Sequence, residues 1–62
     1  MKYYLIDKNG NKTEMRKVDA EVMMSFIFRG WKPILEKLEN NAKEGRPQNI
    51  KLNISTLQVE NN

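Results

Sequence analysis

Neither cysteine nor histidine occurs anywhere in this 62-residue chain. That double absence constrains the fold more than any motif does. A chain this short buries only about 60% of the surface that its unfolded form exposes, so a single core gives marginal stability. Small domains usually add a disulfide, a structural metal or a second subunit. Here no disulfide can form, and the thiolate and imidazole ligands of a zinc site are missing. Tight packing or association with another chain remains.

The same absence removes the commonest general base and the usual cysteine and histidine nucleophile arrangements. So short a chain also has little room for a cleft that excludes water. The chain therefore reads as non-catalytic, with no catalytic residue, no cofactor and no metal expected. Asp7, Asn9 and Asn11 do imitate the first ligands of a calcium loop. The match fails further on, where Gly10 comes too early and Val18 stands in place of the bidentate glutamate. Turn chemistry accounts for these residues instead.

Eleven cations are interleaved with eight anions, for a net charge of +3. The longest basic run is Arg16–Lys17. This balance favours solubility and gives only weak attraction to nucleic acid. The densest apolar run, Val22–Phe28, is far below the roughly 20 residues of a spanning helix. The opening MKYYLIDKNG turns polar after Ile6, unlike a signal peptide. A cytoplasmic location is expected, without a membrane role. Lysine and asparagine number eight each, which hints at an AT-rich genome. A bacterial or phage accessory protein that binds a larger protein fits that impression.

The chain reads as one small domain over residues 1–62, in the order β-β-α-(α)-β. Residues 1–18 form a β-hairpin, because KYYLI and TEMRKV are rich in strand formers and flank DKNGN. Asp7 and Gly10 suit a type I turn followed by a left-handed glycine. That register, preferred here, sets Tyr3 opposite Met15 and Leu5 opposite Thr13, whereas a two-residue Asn9-Gly10 turn would pair Tyr4 with Met15 and Ile6 with Thr13. The helical segment covers 19–44, with Asp19 as its cap and a break or kink near 30–33, where Gly30 and Pro33 stand. Its second part is one-sided, with Ile34, Leu35, Leu38 and Ala42 together. A C-terminal strand covers 49–59. Its alternation Ile50, Leu52, Ile54 slips phase at Leu57 and Val59, which asks for a bulge near Ser55-Thr56. Glu60, Asn61 and Asn62 are expected to fray. The predicted fold is α+β: a three-stranded antiparallel sheet in the order 2-1-3, covered on one face by a kinked helix or two short helices.

The first helix carries the functional expectation. Wound at about 100° per residue, Val22, Met23, Phe26 and Ile27 cover one broad face, taken as core. Trp31 extends its edge if the helix continues, and Met24 and Phe28 lie beyond it, where one reading packs them against the second helix or the C-terminal strand. The preferred reading is that Met24, Phe28 and Trp31 form an exposed apolar patch with Arg29 and Lys32 at its rim. This patch would serve a homodimer, a larger protein partner, or both in turn. The alternative is a small nucleic-acid binder using Tyr3 or Tyr4 with Lys2, Arg16 and Lys17, since aromatics on a sheet beside cations can stack bases. Neighbouring strand residues point to opposite faces, so the two tyrosines cannot form one platform.

Overall fold

The computed structural model describes residues 1–61. Six elements follow one another: β1 (Lys2–Ile6), β2 (Lys12–Met15), α1 (Lys17–Ile27), α2 (Trp31–Ala42), β3 (Gln48–Leu52) and β4 (Ser55–Glu60). The four strands form one antiparallel sheet in the order β2-β1-β4-β3. The α+β class and the central position of β1 agree with the sequence reading. The three-strand count does not.

The β1–β2 hairpin has the expected register, with Tyr3 opposite Met15 and Leu5 opposite Thr13. Its turn chemistry is equally direct. Gly10 sits at φ 86°, and its N–H donates to the Asp7 carbonyl at 3.0 Å. The Asp7 carboxylate accepts from the backbone N–H groups of Asn9 and Asn11, both at 2.9 Å. These bonds, led by the one from Asn11, hold the Asp7 carboxyl below the usual aspartate range.

The expected single C-terminal strand is a second hairpin, β3–β4, turning at Asn53-Ile54. Its register pairs Leu52 with Ser55 and Ile50 with Leu57. A two-residue turn converts even positions in one strand into odd positions in the next. That is the phase slip that a bulge was expected to absorb. Ile54, which continues the alternation on paper, lies in the turn at 68% exposure. Glu60 does not fray: it ends β4 opposite Lys2 and meets the Lys12 ammonium at 2.7 Å. Asn62, the last residue of the expected frayed tail, lies outside the described residues.

Both helices pack on one face of the sheet. That face carries Tyr3, Leu57, Val59 and Leu52, all nearly inaccessible to water. Tyr3 also donates its phenol hydrogen to Glu39 of α2, a carboxylate that Lys17 of α1 approaches at 3.4 Å. One strand residue thereby ties both helices to the sheet. The opposite sheet face is polar, with Lys2, Tyr4, Ile6, Lys12, Thr56 and Gln58 in register.

The helical segment is two helices. Phe28 adopts extended backbone (φ −120°, ψ 126°), which stops α1, and Gly30 at φ 72° reverses the chain. Pro33 then falls in the first turn of α2, where its missing N–H costs nothing. Helix α1 starts at Lys17, two residues before the expected cap. Asp19 instead sits in its first turn, ion-paired with Arg16 at 3.0 Å. Leu35 and Ala42 of α2 are buried, with Ile34 and Leu38 partly so, as its one-sided pattern requires.

Candidate interaction surface

Helix α1 turns a different face to the core than the apolar wheel suggests. Ala20 and Met24, four residues apart, are both 0% exposed. Two residues along a helix rotate the side chain by about 200°, so the row Val18, Val22, Phe26 points away from the core. These three are 50%, 49% and 85% exposed, and Ile27, at the C-terminal end of α1 on the Ala20 side, is 41% exposed. Val22, Phe26 and Ile27 are therefore not the core residues they were expected to be. The physical reason lies in Ala20: a methyl side chain lets α1 settle closely onto its neighbours, and Met24 fills the space beside it.

The expected patch of Met24, Phe28 and Trp31 is accordingly dispersed. Met24 lies in the interior, where no partner can touch it. Phe28 and Trp31 are half-buried against the core from the α1–α2 connection and the start of α2. Phe28 escaped the helical phase argument because its backbone is extended. Arg29 and Lys32 remain exposed at the same end of α1. Trp31 and Lys32 also help line an open groove of about 380 Å³ between the helices, with Lys17, Glu21, Glu36 and Glu39 along it. Two cations face three anions there, and the groove stays open to water.

One polar residue shares the outer face of α1. The Ser25 hydroxyl donates to the Val22 carbonyl at 2.6 Å. A hydroxyl turned back onto its own helix keeps its hydrogen bond when a partner covers the face. Covering the row therefore strands no buried donor. Phe26 offers the largest free apolar surface on this row. A helix face with apolar side chains at every fourth position is the form that helix-in-groove and helix-on-helix contacts take. Ser25 was also the signal that could have found this face. It lies on the same arc as Val18 and Val22, so a solvent-facing serine brings both valines outward with it.

The residues of the nucleic-acid alternative separate in space. Tyr3 is interior and hydrogen-bonded, and burial together with the Glu39 carboxylate pushes its phenol well above the ordinary tyrosine range. Arg16 is paired with Asp19, whose carboxyl its hydrogen bond holds low, and Lys17 lies beside Glu39. Only Lys2 and Tyr4 share the open sheet face. The Tyr4 ring there is covered by the Lys12 ammonium at 4.2 Å, itself held by Glu60.

Among the described residues no group of three or more acidic, cysteine or histidine side chains is placed to hold a metal ion. No described helix is long and apolar enough to cross a membrane. Comparison of the chain with protein-family models, with curated proteins and with solved structures returns no match.

Proposed function

We propose that this protein is a non-catalytic interaction module that works in the cytoplasm through the outer face of α1. The contact row is Val18, Val22 and Phe26, with Arg29 at its rim. The observation that carries this reading is the 85% exposure of Phe26 in line with two half-exposed valines on one helix. Scattered apolar residues are normal on a protein surface, but a row ending in an aromatic ring is how interfaces are built. The small core supports the reading independently, because a chain without disulfide or metal gains stability by burying this row against another molecule. As an accessory protein it would associate with itself or modulate a larger protein.

The test is recovery of stoichiometric complexes on tagged protein from the cells that make it, using two substitutions on exposed helix positions. Val22→Asp, in the middle of the row, is expected to abolish recovery. Lys37→Asp, on α2, is expected to leave it intact. Equal recovery by both variants would count against α1 as the contact surface.

A further inference from the structure

The tip of the β1–β2 turn carries a reactive pair. We infer that Asn9 is a site of spontaneous covalent modification: the Gly10 main-chain nitrogen displaces its side-chain amide, and aspartate or β-linked isoaspartate takes its place. Water is the only co-reactant. The Gly10 nitrogen bonds to Asn9 Cγ and gives up its proton, the Cγ–Nδ2 bond breaks, and the amide nitrogen leaves with that proton as ammonia. A cyclic imide remains. Water then opens it at either carbonyl, and the Gly10 nitrogen regains a proton. Opening at Cγ gives aspartate. Opening at the main-chain carbonyl gives isoaspartate, with the chain routed through the side chain.

Attack needs a free amide and a neighbouring nitrogen that can come close. Asn9 supplies the first. It is exposed, and its side chain makes no hydrogen bond among the described residues. Gly10 supplies the second. It has no side chain to obstruct the approach, and the space where one would stand is empty within 4 Å. No other described asparagine combines the two. Asn11 donates its amide to the Asp7 carboxylate at 3.2 Å and precedes Lys12. Asn40 and Asn41 stand in α2 and Asn49 in β3, where regular backbone bonding holds the next N–H. Asn53 precedes the branched Ile54, and Asn61 precedes Asn62.

The native turn slows this reaction without preventing it. The Gly10 N–H is engaged by the Asp7 carbonyl at 3.0 Å, and the Asp7 carboxylate accepts from the N–H groups of Asn9 and Asn11, both at 2.9 Å. The first of these bonds must break before the Gly10 nitrogen can attack. The carboxylate charge in the same turn also opposes loss of its proton. Every group involved is exposed at a loop tip, where local opening costs least. Asp7 is therefore the brake on Asn9.

The product loosens the hairpin. It carries one more carboxylate, so the net charge of +3 falls by one, and the new charge shares the turn with Asp7. Isoaspartate also adds a methylene to the main chain. That lengthening falls inside the loop that the Asp7 N–H closes on the Asn11 carbonyl at 3.0 Å. The register of Tyr3 with Met15 and Leu5 with Thr13 depends on that closure.

Ageing of the folded full chain in warm, mildly alkaline buffer tests the inference, with peptide mass spectrometry locating each lost amide. An isoaspartate-specific carboxyl methyltransferase and a labelled methyl donor detect the β-linked product. Asn9 is expected to convert before any other described asparagine. Asp7→Ala is expected to speed the conversion about tenfold, because losing bonds to a charged acceptor makes the open turn that much more populated. Aged wild-type protein is expected to melt at least about 4 °C lower than fresh protein, while Asn9→Gln protein aged beside it keeps its melting temperature. An intact Asn9 amide after another described asparagine has converted overturns the inference. So does conversion of Asn9 that appears only when urea unfolds the chain. A rate that Asp7→Ala leaves unchanged or lowers overturns the role of Asp7 as brake. Equal melting temperatures for aged and fresh protein, with Asn9 converted, overturn the loosening of the hairpin.

Discussion

Met24→Ala and Phe26→Ala stand two residues apart on one helix, and the structure assigns them opposite consequences. Met24 is 0% exposed and among the largest side chains that are fully buried. Truncating such a residue removes its transfer free energy and leaves a cavity, which costs about 2–5 kcal/mol. At roughly 0.05–0.15 kcal/mol per residue, a domain of this size has a total stability of about 3–9 kcal/mol. Met24→Ala therefore removes a large part of it, and in the worst case all of it. Phe26 is 85% exposed, so Phe26→Ala leaves no cavity and is expected to change monomer stability by no more than about 0.5 kcal/mol. The better helix propensity of alanine even favours the variant slightly. The assay is urea or thermal unfolding at about 2 µM, a low concentration that keeps association through α1 from adding to the measured stability. Met24→Ala should lower the melting temperature by at least about 10 °C, and Phe26→Ala should leave it almost unchanged. Equal losses from the two variants, or a larger loss from Phe26→Ala, would refute the orientation of α1 and everything built on its outer face.

Other variants probe the rest of the architecture. Tyr3→Phe is expected to cost about 1–2 kcal/mol at neutral pH through the lost bond to Glu39, read from urea midpoints. The folded phenol ionises above its unfolded value of about 10, so its contribution is full below that pH and is lost as pH rises beyond it. Tyr3→Phe should accordingly flatten the alkaline decline in stability. Asp7 and Asp19 have lowered folded values, so their contributions are present above the unfolded carboxylate value and fade as pH falls through the folded ones. Asp7→Asn should flatten the acid limb of the stability curve. Gly30→Ala meets no atom within 4 Å of the new methyl group, yet the position has φ 72°. Its expected cost of about 1–2 kcal/mol comes from the backbone alone, and thermal unfolding measures it.

Local chemistry was legible in the sequence wherever one arrangement satisfied every residue. Asp7 at the start and Gly10 at the end of the loop favour a type I turn over a two-residue Asn9-Gly10 turn, and that choice gives the β1–β2 register. The polar and apolar sides of α2 divide cleanly, so its buried face follows from spacing. Two features were hidden for physical reasons. The β3–β4 hairpin turns at Asn53-Ile54 without a glycine, and Ile54 continues the preceding alternation across the turn. Helix α1 is apolar on nearly every side, so spacing alone permits more than one core face. The choice falls to Ala20, whose small side chain permits close packing that the larger Phe26 would prevent. The candidate surface therefore lies on the expected helix but on its other side. Of the residues expected there, Arg29 and Lys32 stay available, Met24 does not, and Val18 and Val22 were passed over.

The most direct test of the central claim is photo-crosslinking in the cells that make the protein, with p-benzoylphenylalanine at position 26 in one variant and at position 54 in another. Both positions are exposed, but Phe26 continues the apolar row of α1 and Ile54 stands alone in a turn. Irradiation is expected to give a discrete adduct from position 26, at twice the 7.3 kDa chain mass if the protein associates with itself and heavier by the partner's mass if it binds another protein, and none from position 54. An adduct from position 54 with none from position 26 would contradict the account.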